Sequence, residues 1–188
     1  MMTSEFSSRD DKKELLERAM ESAIKKLNTR QRTEKEIADF LKEKEYTQEV
    51  ISTVICQLKE LNYVDDAEYC RQYFKYSKKK NKADYRIIKE LNQKGIASDL
   101  AKKVFNNLRN QESGRMLFFD PEVELDDKKL ALSVGMQMME NQVQSGKEPD
   151  SKFFARIGRR LATLGFDSGT VYSVLRELEN SVERKEYE

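Results

Sequence analysis

The stretch from Thr33 to Leu61, TEKEIADFLKEKEYTQEVISTVICQLKEL, decides how the rest of the chain is read. Ile37, Phe40 and Leu41 fall at three- and four-residue steps, and Val50, Ile51, Val54, Ile55, Leu58 and Leu61 do so again after a break. That spacing places one face of a helix on a core, so the stretch predicts two amphipathic helices joined by a tight turn. The start signals agree: Thr33 with Glu36 has capping-box spacing, and Thr47 is placed to open the second helix. Upstream, Leu15, Leu16, Ala19, Ala23, Ile24 and Leu27 form the stripe of an opening helix.

The same set then recurs. Ile37, Leu41, Tyr46, Val50, Val54, Ile55 and Leu58 have counterparts in Ile87, Leu91, Ile96, Leu100, Val104, Phe105 and Leu108. A third copy follows as Ile157, Leu161, Phe166, Thr170, Val174, Leu175 and Leu178, with only Thr170 breaking the apolar pattern. Agreement of this depth predicts three tandem repeats. Each opening helix has an acid pair in front of it: Asp10-Asp11 before Leu15, Asp65-Asp66 before Cys70 and Asp126-Asp127 before Ala131. Such pairs suit helix capping and the positive end of the helix dipole better than a metal or acid–base site. Between the second and third helix of each set stands a tight turn, Glu45-Tyr46, Gly95-Ile96 or Gly165-Phe166. The glycines predict a left-handed residue ending the helix, with the apolar residue after it packed back onto that helix.

The expected fold is therefore all-α, nine helices in three tandem three-helix, helix-turn-helix-like repeats. Residues 10–62 form the first, 63–109 the second and 126–182 the third, with a linker over 110–125. The region 109–125 carries Met116-Leu117-Phe118-Phe119 and an acidic alternation, and its apolar cluster is expected to dock on a neighbouring repeat. Residues 1–8 and 183–188 read as frayed ends.

Composition excludes much chemistry. With no His there is no Ser-His-Asp or Cys-His nucleophile system and no His ligand for zinc or haem. Two Pro and seven Gly are too few for an all-β sandwich or a Gly-rich phosphate loop. Cys56 and Cys70 have neither C-x-x-C nor metal spacing and read as reduced, mostly buried thiols. No Walker loop, G-x-S-x-G or phosphoryl-transfer pattern is present, so a binding protein is expected, with no catalytic residue, metal or cofactor. Without a signal-like apolar run or a membrane span, a soluble, cytoplasmic chain is expected.

A formal net charge of +1 hides a strong local asymmetry. Residues 69–109 hold twelve basic and three acidic residues, while 110–150 hold four basic and nine acidic. The basic block includes Arg71, Lys75, Lys78, Lys79, Lys80, Lys82, Arg86, Lys89 and Lys94, interleaved with Tyr69, Tyr73, Phe74, Tyr76 and Tyr85. Cations beside tyrosines compose a surface that tracks a phosphate backbone and stacks on bases. The bland alternative makes Phe74 and a Tyr or two core, and Lys78 to Lys82 a solvated helix end. A smaller cluster, Arg156, Arg159 and Arg160, shares one face of a helix in the third repeat.

The run Val54 to Asp66, VICQLKELNYVDD, continuing through Ala67 to Phe74, resembles the stretch that joins the first two repeats of the RecX family. Tyr85 to Ile96, YRIIKELNQKGI, is similar to that family's second-repeat signature, and Arg30 to Leu41 to its opening one. Arg159-Arg160-Leu161 through Gly165-Phe166 is similar to its third. The similarity runs from about residue 19 to 178 in the order of the repeats. Asn62, Glu45 and Ala83 stand where the family commonly has Gly. The resemblance implies an elongated, curved array of three-helix repeats that acts as a monomeric cytosolic regulator of the RecA recombinase. It further implies binding in the groove of the RecA–single-stranded-DNA filament, restraint of ATP hydrolysis, strand exchange and co-protease activity, and no catalytic residues. Two other functions fit the repeats themselves: a helix-turn-helix-like DNA-binding regulator, or a scaffold for a different protein partner.

Overall fold

The computed structural model describes residues 3–112 and 126–185. Regular structure among them is entirely helical: α1 Thr3–Leu27, α2 Glu34–Glu43, α3 Gln48–Glu60, α4 Asp66–Lys79, α5 Asp84–Gln93, α6 Ser98–Glu112, α7 Asp127–Gln144, α8 Ser151–Leu164 and α9 Ser168–Lys185. The helices form three sets of three, in the expected order. The repeat columns account for much of the interior. The positions of Ile37, Leu41, Val54 and Leu58 are buried in all three copies.

The chain divides into two compact units, Met1–Arg71 with Leu91–Val104, and Gln72–Glu90 with Phe105–Glu188. In the first unit Ala19 and Ala23 of α1 pack with Ile37, Leu41, Val50, Val54 and Leu58. In the second, Leu130, Ala131 and Val134 of α7 pack with Phe153, Ile157, Leu161, Val174 and Leu178, and Ala83 joins them. Phe74 and Phe105 also lie within the second unit, with ring centroids 4.0 Å apart. Phe74 is thus core, as the bland alternative had it.

All three repeat turns are left-handed. Glu45, Gly95 and Gly165 have φ of 64°, 90° and 94°. In each, the residue after the turn donates its amide to a Leu carbonyl: Tyr46 to Leu41 at 3.2 Å, Ile96 to Leu91 at 3.1 Å and Phe166 to Leu161 at 3.3 Å. With the 45→42, 95→92 and 165→162 bonds, these are three Schellman motifs. Asn62 adopts the same conformation with φ 57°, the role expected of it in place of Gly.

The acid pairs divide their labour. Asp65 and Asp126 cap their own helices: Asp65 accepts the Ala67 and Glu68 amides at 2.8 and 3.0 Å, and Asp126 those of Lys128 and Lys129. Asp66 and Asp127 instead cap the second helix of the preceding set. Asp66 accepts from the Glu34 amide and Asp127 from the Asp84 amide, both at 3.0 Å. The Asp10-Asp11 pair departs from this scheme. Helix α1 begins at Thr3, so these two residues lie inside it and open nothing, since no Gly or Pro separates them from the upstream residues.

Other expectations also shift. Helix α6 runs to Glu112, past the expected start of the linker. The apolar cluster and the acidic alternation at 113–125 lie outside the described residues, as do 1–2 and 186–188. Cys70 is buried, and burial pushes its thiol up to about 11, whereas Cys56 is exposed, contrary to expectation. It sits on the outer side of α3, off the stripe of Val50, Val54 and Leu58. No described helix is long and apolar enough to cross a membrane.

Candidate nucleic-acid interface

The structure separates the basic block into cations held by the fold and cations on its surface. Lys78 shows the first kind. On α4, Phe74, Ser77 and Lys78 occupy one inward stripe, and the Lys78 side chain is 0% exposed. Its ammonium lies 2.8 Å from Asp84 Oδ1 and also pairs with Asp127. As a surface contact for a partner, Lys78 is therefore withdrawn: a count of charges in sequence carries no information about the phase of a helix's last turn.

Lys82 and Arg86 converge on one carboxylate. Lys82 Nζ is 2.6 Å from Glu90 Oε2, Arg86 Nε is 3.0 Å from Glu90 Oε1, and the Tyr73 hydroxyl donates to Glu90 Oε2 at 2.8 Å. Burial pushes the Glu90 carboxyl up, but the hydrogen bonds from Lys82, Tyr73 and Arg86 outweigh it and hold the group below the usual range. Arg86 also donates to the Thr163 carbonyl. In the first unit, Arg71 Nε pairs with Glu68 at 2.7 Å, and Lys94 lies 3.4 Å from Glu36 and over the Tyr69 ring.

Surface cations remain. Lys79, Lys80 and Lys89 are exposed and Lys75 half-buried, with Lys80 over the ring of the exposed Tyr76. Tyr85 is 70% exposed, on the outer face of α5 with Lys89 one turn on. Lys102 and Lys103 on α6, which the charge count included without singling out, are exposed as well.

Helix α8 contrasts with the middle block. Its sequence, SKFFARIGRRLATL, contains Lys152, Arg156, Arg159 and Arg160 and no acidic residue. All four cations are exposed, while Phe153, Ile157, Leu161 and Leu164 face the core. Arg156 stacks over Phe153 and donates to Gln142 Oε1 at 3.0 Å, which spreads its guanidinium along the surface without neutralising it. Exposed guanidinium groups on a helix that carries no acid of its own suit a polyanion. Among the described residues, no cluster of three or more His, Cys, Asp and Glu is arranged to hold a metal ion.

By class this is a helical-repeat protein whose described surface carries exposed cations and tyrosines. The model for the first three-helix domain of RecX matches residues 19–58. Regulatory protein RecX of Bacillus velezensis is 33% identical over 131 residues, covering 69% of this chain and 50% of its own. That of Oceanobacillus iheyensis is 25% identical over 172 residues, covering 91% and 57%. The crystal structure of RecX from Lactobacillus salivarius superposes with a TM-score of 0.66 at 18% identity, covering 88% of this chain and 97% of that one, a likeness of fold. The chain belongs to the RecX family. It spans about half the length of the curated relatives it matches.

Proposed function

We propose that this chain is a cytoplasmic, monomeric regulator that binds the RecA–single-stranded-DNA filament and lowers RecA's ATPase, recombinase and co-protease activities. The observation that carries this reading is the match of residues 19–58 to the first three-helix domain of RecX, supported by similarity to a regulatory protein RecX over 91% of the chain. The exposed cations of α8 supply phosphate-facing charge, joined by Lys79, Lys80 and Lys89, with Lys75, around the middle helices. Lys82, Arg86 and Lys94 act mainly by holding those helices in place. Separate patches, each weak, add through multivalency and require no deep pocket.

The test is RecA ATPase on single-stranded DNA with this protein titrated at sub-stoichiometric amounts. Hydrolysis should fall, and Arg159→Glu with Arg160→Glu should shift the titration about tenfold to higher protein and flatten its salt dependence. Hydrolysis unchanged across the titration would sink the reading. Inhibition that is intact in the charge-reversed variant would remove α8 from it.

A further inference from the structure

The stretch Tyr63-Val64-Asp65-Asp66 is only partly accounted for by folding. Val64 is buried, and Asp65 and Asp66 are caps, but the Tyr63 side chain is 54% exposed. It borders a cleft in the first compact unit, formed with Gln31 and Arg32 from the α1–α2 loop, Asn62, and Tyr69 of α4. The cleft is a shallow, open one of about 70 Å³, well below the size of an enclosed ligand site.

Its chemistry is mixed. The Arg32 Nε–H is buried with no hydrogen-bond partner among the described residues, an unusual and costly state for a guanidinium donor. Gln31 and Asn62 each bring an amide that both donates and accepts, and both residues are exposed. The two carboxylates at the rim are already committed. Asp65 accepts two helix amides, and Glu68 pairs with Arg71 at 2.7 Å. A cationic side chain from a partner would find no uncommitted carboxylate here, and a phosphate would meet the Asp65 and Glu68 carboxylates beside the Arg32 guanidinium. A neutral planar group with donors and acceptors on its edge meets neither obstacle.

We infer that this cleft receives one unstacked base of a single strand, with its face on Tyr63 and its edge toward Arg32, Gln31 and Asn62. The inference rests on the reading that a nucleic-acid strand is part of the partner. It adds that the chain touches a base directly, through a contact independent of phosphate charge.

The experiment compares binding of the full chain to a short oligothymidylate and to an abasic oligomer of the same length. Tyrosine emission serves as the signal, since the chain has no Trp. The base-bearing strand should bind about tenfold tighter. Tyr63→Ala should erase that preference while leaving the salt slope unchanged, and Tyr63→Phe should keep it. Gln31→Ala, in an exposed loop, should reduce it about threefold and decides the matter if the Tyr63 variant unfolds. Equal binding of the two strands by the wild type, or full preference in folded Tyr63→Ala, overturns the inference. RecA ATPase run in parallel separates the two proposals. Inhibition without base preference removes the cleft alone, and base preference without inhibition removes the RecA reading alone.

Discussion

The two compact units contain the same junction built from different chemistry. In the first, the start of α2 meets the α5–α6 turn through a hydroxyl: Thr33 Oγ1 accepts the Glu36 amide at 3.2 Å and donates to the Lys94 carbonyl at 2.7 Å. In the second, the start of α5 meets the α8–α9 turn at Ala83, which has no hydroxyl, so its backbone amide donates to the Leu164 carbonyl at 3.0 Å. Charge replaces the hydroxyl there. Lys78 sits between Asp84 and Asp127, and Arg86 reaches the Thr163 carbonyl. Part of the basic middle block is therefore built into the second junction. Those cations are consumed by the fold before any partner arrives.

The comparison breaks most directly at Lys78. Lys78→Met should destabilise the protein by about 3 kcal/mol in urea unfolding, because two carboxylates lose their shared cation. Lys80→Met, two residues on and exposed, should change stability by less than about 0.5 kcal/mol. Equal effects would mean that the Lys78 pairing carries no weight. This also bears on how the basic face is probed: reversing Lys78 together with Lys79, Lys80 and Lys82 would mix unfolding with lost binding, so the α8 arginines give the cleaner test.

A second contrast concerns the turn column. A Cβ on Gly165 would lie 2.5 Å from Arg86 Cβ, and one on Gly95 would overlap the Lys35 stem, because in each unit a helix start packs on that turn. Gly165→Ala therefore combines left-handed strain with overlap and should cost about 2 kcal/mol. Glu45 shares the left-handed φ, and Glu45→Gly should stabilise by up to about 1 kcal/mol in a thermal melt. Opposite signs at one repeat position sharpen the comparison; a loss for both would show that Glu45 makes a contact of its own.

The smallest expected effect is on acid stability. In the first junction the Glu36 carboxyl is pushed up by burial, but Arg30, the Thr33 amide and Lys94 outweigh this and hold it low. Glu90, in the second unit, is likewise held low. A carboxyl depressed in the folded state stabilises above its unfolded pKa, and that contribution is lost as pH falls through the folded value. Stability should thus decline as pH drops below about 4.5, the ordinary glutamate value, and Glu90→Gln should weaken that decline. An identical acid profile in the variant would exclude Glu90 as a contributor.

Much of this was legible in the chain. The apolar columns marked the interior of each set, and Thr33, Thr47 and the glycine turns marked where helices start and stop. Two of the three acid pairs were legible as caps, but not that Asp66 and Asp127 cap a helix of the preceding set, nor that Asp10-Asp11 lies inside α1. Nor was the cleft beside Tyr63 legible, because its walls come from a loop at Gln31-Arg32 and a turn thirty residues later. The basic block was legible only as a number of charges.

Local features follow from the chain alone: helical period, Schellman turns closed within six residues, and a capping box closed within four. Those depend on backbone geometry and on neighbours that chain connectivity supplies. Which charged groups are left to solvent follows from tertiary packing. Lys78 meets Asp127 across 49 residues, and Arg86 meets Thr163 across 77. Whether an ammonium is neutralised or solvated depends on which carboxylate packing brings within a few ångströms, and periodicity along one helix does not specify that.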